Sequence, residues 1–337
     1  SELIFFKNKT WSTKLSSFSI TGGTFFMKPL PDWSTRHNYI HHSNPMSKTR
    51  CKAFFDKVHI RPMISNAWEI VKDESADSNK KKDAWAILDK FDPKRNQSDN
   101  ANMLAGRAVQ AICDLVILNE VNFEDALNSV KEEMLLKYQH REWDEGTDFK
   151  KYERYYEEVP SVAKNAIIGL TQALQKENKI IGETDYLGLL PGNELPYNTK
   201  PDYARRGDLK TKWSTIADTK SGWRAASLPS NLSGPFELSH LYQVAGFWAV
   251  NGGLPPFLVY ANAKDYRLFT QENSPELSNE NLAQIVKHII NENLVTERFL
   301  KVCSTKEQLF QMVTTNYRDL CWKEPPSVLK EARKFWE

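Results

Sequence analysis

Apolar positions along the chain fall into two regimes. From Asn102 to Leu118, residues Leu104, Ala108, Ala111, Leu115 and Leu118 recur every three or four positions, which predicts a helix, with Asp99 or Asn100 as its cap. Phe123–Tyr138 and Ser161–Lys176 predict two more, the latter with Ala166, Leu170, Ala173 and Leu174 on one face. Then the period shortens. Lys179–Leu187 is strand-like, Pro191–Pro196 is a turn region, and Tyr203–Lys212 and Ser214–Lys220 predict a second and a third strand. Glu237–Asn251 predicts a helix that Gly252-Gly253-Leu254-Pro255-Pro256 stops. Phe257–Asn262 is a buried-strand run with Tyr266–Thr270 as its partner. Asn279–Val302 is amphipathic, through Leu282, Ile285, Val286, Ile289 and Ile290, and Thr305–Thr315 adds a further helix. Helices, three strands, a helix, strands and a helix imply an α/β chain, a mixed sheet flanked by helices.

The first hundred residues carry a weaker pattern. Short β-prone pieces, Leu3–Phe6, Ser17–Ile20 and Thr24–Met27, sit among Gly, Pro and His. His41, His42 and His59 invite a metal reading, but adjacent histidines point apart on regular backbone, and ligands must converge. Lys72–Asn100 is polar around Asn79-Lys80-Lys81-Lys82-Asp83; it reads as a solvated face or loop, with a DNA-backbone contact as the alternative.

Hydrophobic content of 40% supports a core, and a formal charge of +2 excludes global basicity. Any nucleic-acid surface must therefore be a local patch. Cys51, Cys113, Cys303 and Cys321 are far apart with no Cys-x-x-Cys, which argues against a zinc ribbon and for reduced thiols. No apolar run reaches the ~18 residues of a membrane span. The start, Ser1-Glu2-Leu3-Ile4-Phe5-Phe6-Lys7, lacks a signal-peptide layout. The expectation is a cytoplasmic protein, host-cytoplasmic if viral, with no membrane partner.

Candidate chemistry gathers in the middle. Asp208 stands in Arg205-Arg206-Gly207-Asp208, and Asp218 and Lys220 follow ten and twelve residues later in Asp218-Thr219-Lys220-Ser221-Gly222. Residues i and i+2 of a strand share a face, so Asp218 and Lys220 project together, and a hairpin brings Asp208 to them. Two carboxylates beside an ammonium suit a divalent cation that activates water against a phosphodiester. A second register competes: Asp208-Leu209-Lys210 is itself Asp-x-Lys, with Pro201-Asp202 six residues before it. Six residues are short for a strand, a turn and a return strand, so the longer register is preferred.

These residues and their neighbours are similar to a known family. Gly207-Asp208 followed by Ile216-Ala217-Asp218-Thr219-Lys220-Ser221-Gly222, with Ile180-Ile181-Gly182-Glu183 before and Gln243-Val244-Ala245-Gly246-Phe247 after, resembles the PD-(D/E)xK nuclease superfamily. The likeness is to the branch of RecB-type nuclease domains and phage exonucleases of the lambda type. Gly106-Arg107-Ala108-Val109-Gln110 resembles that branch's first-helix motif, with Gln for His, and Phe247 replaces a Tyr.

The resemblance implies a restriction-endonuclease-like mixed sheet flanked by helices over residues 101–302, an N-terminal extension over 1–100 and a C-terminal helical segment over 303–337. It implies a metal-dependent DNA exonuclease of phage-type recombination or DNA processing, using one or two Mg²⁺ or Mn²⁺ ions. Asp208, Asp218 and the carbonyl of Thr219 would hold metal, with Glu183 and Gln110 as further ligands; Gln110 offers only a neutral amide oxygen. Lys220 would steady the attacking water, and Gln243 would face the pocket. Arg205, Arg206, Lys210, Lys212 and Arg224 form a basic patch for the DNA backbone. Trp213 and Trp223 read as core ahead of base-stacking. Glu183 reads equally as an ion-pair partner of Arg205 or Arg206. The branch admits a homo-oligomer and a single-strand annealing or recombination partner. A structure-specific endonuclease, or an inactive module that binds DNA or protein, is the alternative; Gln110 and Phe247 motivate the latter.

Overall fold

The computed structural model describes residue 30 and residues 55–92, 101–139, 145–216, 223–224, 227–233, 238–312 and 326–336. In chain order the elements are α1 (Arg61–Lys72), α2 (Ser78–Phe91), α3 (Ala101–Ile117), α4 (Phe123–Gln139), α5 (Glu145–Leu174), β1 (Tyr186–Gly188), β2 (Tyr197–Thr199), β3 (Gly207–Thr211), β4 (Thr215–Ile216), β5 (Trp223–Arg224), α6 (Leu238–Val250), β6 (Phe257–Ala261), β7 (Tyr266–Phe269), α7 (Asn279–Val302), α8 (Lys306–Met312) and α9 (Pro326–Trp336). The chain forms two compact units, one from 96–185 and 199–289, the other from the described parts of 1–95, 186–198 and 290–337. Sequence boundaries at 100 and 302 are contiguous; the units interleave. Among the described residues no helix is long and apolar enough to cross a membrane.

In the first unit, a small mixed sheet in the order β3-β6-β7 is flanked by helices. β3 runs parallel to β6, with Gly207 opposite Phe257 and Asp208 opposite Leu258, and β7 is antiparallel to β6. Alternation gives the sheet two different faces. Leu209, Phe257, Val259 and Ala261 join a core with α3, α4 and α5. Close approach of α5 requires Gly169: a Cβ there would lie 2.7 Å from Val259. The alternate residues of β3 and β6 meet α6: Lys210 reaches Gln243, and Tyr260 reaches His240.

Two expectations are overturned here, and a third is not met among the described residues. The helix expected to begin at Ser161 begins at Glu145 and passes through Pro160. Its buried stripe Tyr152, Tyr155, Val159, Val162, Ala163, Ala166 and Leu170 continues unbroken across the proline, so burial outweighs one missing hydrogen bond. The strand expected from Lys179 is reduced to Tyr186–Gly188. The expected hairpin between the strands of Asp208 and Asp218 is absent among the described residues: β4 pairs with β5 instead. The cause lies in residues 211–214. The Trp213 indole turns in against Tyr155, with ring centroids 5.1 Å apart, and bonds Thr211 Oγ1 at 3.2 Å. The Ser214 N–H donates to Glu158 Oε2 at 3.1 Å. These contacts draw the chain off the β3 ladder onto α5, and Trp213 is core, 8% exposed.

In the second unit the charge run expected as a solvated face or loop is part of α2. Asp77 caps it, accepting the Asn79 N–H at 2.7 Å, and Ala84, Leu88 and Phe91 bury one face. Around Phe55, Phe310 and Phe335 another core encloses His59, whose companions His41 and His42 lie outside the described residues. Lys306 Nζ, which can only donate, contacts His59 Nδ1 at 3.0 Å, so the ring proton sits on Nε2 and faces Glu331 at 3.4 Å. Burial foremost, then Lys306, holds the His59 pKa down to about 4, against the opposing pull of Glu331 and Glu307.

His59 therefore stays neutral in the fold while the unfolded chain takes up its proton below about pH 6.5. Its stabilisation is present above that pH and is lost as pH falls toward 4, by about 3 kcal/mol. Urea midpoints between pH 7 and pH 4 should fall less steeply in His59→Gln than in the parent chain.

Candidate active site

The site is built on a tight reversal before β3. Tyr203 and Gly207 form an antiparallel bridge, with the Tyr203 N–H donating to Gly207 O at 2.9 Å and the Gly207 N–H to Tyr203 O at 3.1 Å. Only Ala204, Arg205 and Arg206 lie between them. Ala204 has φ 47° and Arg205 φ 63°, the left-handed pair that reverses a chain with the twist of the flanking strands. Each left-handed non-glycine residue costs about 1–2 kcal/mol. Hydrogen bonds, two of them from distant parts of the chain, offset this. The Ala204 N–H donates to Ile181 O at 2.6 Å, the Arg206 N–H to Tyr203 O at 3.0 Å, and the Asn251 amide to Arg205 O. Beneath the turn the buried Tyr203 hydroxyl donates to Asp114 Oδ1 at 2.7 Å and accepts from Gln110 Nε2 at 2.7 Å. Burial, foremost, raises the pKa of Asp114, although these two bonds oppose the rise.

The register that pairs Tyr203 with Gly207 places Asp202 opposite Asp208. Six residues thus suffice to bring two carboxylates face to face. The Asp202 N–H donates to Asp208 Oδ1 at 3.0 Å, and Asp202 Oδ2 accepts the Leu209 N–H at 2.9 Å. Asp208 is 1% exposed. Its Oδ2 accepts Lys210 Nζ at 2.9 Å, and Lys210 Nζ also donates to Gln243 Oε1 at 3.2 Å. Burial, and next the charge of Asp208, push the Asp202 pKa up to about 7. Two acids held this close resist being ionised together.

His240 stands one turn before Gln243 on α6. Its Nδ1 lies 2.6 Å from the Tyr260 hydroxyl. Burial, then Lys210 and Lys212, bring its pKa down to about 4.

The remaining sequence candidates divide into those outside the described residues and those with other partners. Asp218, Thr219 and Lys220 lie outside the described residues, in the segment joining β4 to β5. Glu183 pairs with Lys200 at a half-exposed position. Gln110 turns its amide nitrogen to Asp114 and Tyr203. Lys210, expected in the basic patch, is engaged by Asp208 and Gln243. Arg206 pairs with Glu177, donates to Pro255 O at 2.7 Å and stacks over Phe257. Arg205 contributes backbone to the turn. Arg224 is in β5 and Lys212 follows β3. The residue that sequence reasoning set aside is Asp202; the signal for it was Pro201-Asp202 followed by Asp208-Leu209-Lys210.

Among the described residues no three of His, Cys, Asp and Glu gather in a metal-binding group. Two opposed carboxylates still fit a hard divalent cation. Mg²⁺ typically takes one or two protein carboxylates and completes its shell with water and substrate phosphate, and a cation would offset the burial and the Asp208 charge that lift the Asp202 pKa.

No family model matches the chain, and no curated protein is similar to it. Among solved structures it is similar to a protein of Eubacterium rectale, provisionally described as an exonuclease, at 15% identity and TM-score 0.38, covering 73% of this chain and 85% of that one. A superposition this loose carries no argument about activity.

Proposed function

We propose that the chain is a metal-dependent phosphodiester hydrolase acting on DNA, with Asp202, Asp208 and Lys210 as the reacting cluster. The observation that supports it most is the placement of Asp202 across from Asp208, with Lys210 bonded to Asp208 and steadied by Gln243. Asp202 and Asp208 would hold Mg²⁺ or Mn²⁺. When bound, the ion lowers the pKa of a water and draws charge from the phosphate oxygens. Lys210 orients that water and offsets the charge developing on phosphorus. Gln243 fixes the lysine by accepting one of its hydrogens, and the Asp114–Tyr203–Gln110 cluster keeps the turn, and with it Asp202, in place.

The arrangement suits a restriction-endonuclease-like frame: an Asp-x-Lys strand parallel to a buried strand, with a helix between them in the chain. Exonuclease action in phage-type recombination or DNA processing is the finer reading, by resemblance. The chain should degrade linear duplex DNA with Mg²⁺ or Mn²⁺ and stop on chelation, while covalently closed circles persist. Cleavage of the circles would favour the endonuclease. A mobility shift without cleavage under every divalent ion would leave only a binding module and defeat the proposal.

A further inference from the structure

Asp208, Lys210 and Lys212 occupy alternate positions along and just beyond β3, so the row points to the α6 side of the sheet. Lys210 is neutralised by Asp208. Lys212 is different. Its ammonium lies 5.6 Å from the centre of the Tyr260 ring, and among the described residues no carboxylate pairs with it. The same Tyr260 holds His240 Nδ1 through its hydroxyl at 2.6 Å, with the two rings 5.6 Å apart. One aromatic side chain thus positions a cation and an imidazole together, next to the proposed cleavage cluster.

We infer that Lys212 and His240 form an anion subsite for a backbone phosphate of the nucleic-acid strand, one step along from the phosphate held at Asp202 and Asp208. The inference rests on the hydrolase reading and deepens it. Lys212 is two residues beyond Lys210, about 6.6 Å along the strand, a span of the size of one nucleotide step. In this subsite His240 is the neutral donor, the tautomer with its hydrogen on Nε2 that leaves Nδ1 to accept from the Tyr260 hydroxyl. Burial and the two lysines keep the imidazole uncharged at neutral pH. The subsite therefore combines one counterion-releasing contact with one that releases none.

That division sets the test. Binding of a fluorescent duplex oligonucleotide is measured with Ca²⁺ in place of Mg²⁺ across a salt series. Lys212→Gln should flatten the slope of log K against log salt by about 0.9 and weaken binding about tenfold at low salt. Lys212→Arg should restore the slope, which excludes misfolding as the cause. His240→Asn should weaken binding about fivefold with the slope unchanged. Lys287→Gln, on an exposed part of α7, should change neither. If the parent chain binds and cleaves DNA while Lys212→Gln keeps its slope and affinity, the subsite is wrong and the hydrolase reading stands. If the parent neither binds nor cleaves, both fall.

Discussion

On the proposed hydrolase reading, Lys210→Met should lower the rate of DNA hydrolysis about 10³-fold, the loss that follows removal of one aimed donor from a reaction centre, while Lys220→Met should stay within about twofold of the parent. The same contrast is expected for the acids: Asp202→Asn should be as damaging as Asp208→Asn, and Asp218→Asn should be mild. The reasoning is geometric. Lys210 Nζ is 2.9 Å from Asp208 Oδ2 and is turned there by Gln243. Asp202 meets Asp208 beside the Tyr203–Gly207 bridge, which needs only three intervening residues. β4, which leads to Asp218 and Lys220, has left the β3 ladder to pair with β5. Single-turnover rates at saturating Mg²⁺, with circular dichroism to establish folding, separate the two registers. Parent-like rates in Lys210→Met and a collapse in Lys220→Met would return the site to the longer register.

Gly207→Ala should destabilise the first unit by about 3 kcal/mol, the upper range of overpacking costs, and lower the Tm by several degrees. A Cβ at position 207 would lie 2.1 to 2.4 Å from three carbons of the Phe257 ring. Phe257 is 1% exposed in the core beneath α3 and α5 and cannot move aside cheaply. Gly207 also closes the bridge with Tyr203, so a displaced β3 separates Asp202 from Asp208 and activity falls with stability. Gly207→Ala with Phe257→Leu removes the overlapping ring atoms and should recover much of the Tm. Unchanged thermal stability in the single variant would mean that β3 and β6 do not pack as described.

Much of the frame was legible in the chain. The helices near 101–117, 123–139, 238–250 and 279–302 and the buried strand 257–261 follow from apolar spacing, because each buries one continuous stripe or both faces. Gln243 was legible as a side chain facing away from the buried stripe of its helix, and it does meet Lys210. The start of α5 was not, because Pro160 reads as a boundary until the tyrosines before it are seen to be buried. The helix at Ser78–Phe91 was hidden by its run of three lysines, of which Lys80 and Lys82 are exposed and Lys81 is partly buried along the stripe of Ala84 and Leu88.

By itself the sequence determined which groups are available for chemistry and, where the apolar period is clear, which segments are helix or buried strand, since periodicity and residue type are local properties. Only the tertiary structure revealed that Asp202 stands beside Asp208. That placement turns on Ala204 and Arg205 taking left-handed backbone that neither residue favours. Contacts distant in the chain, from Ile181, Asn251, Asp114 and Gln110, hold the turn there. No local propensity records such contacts, so the short register became visible only when the chain was folded.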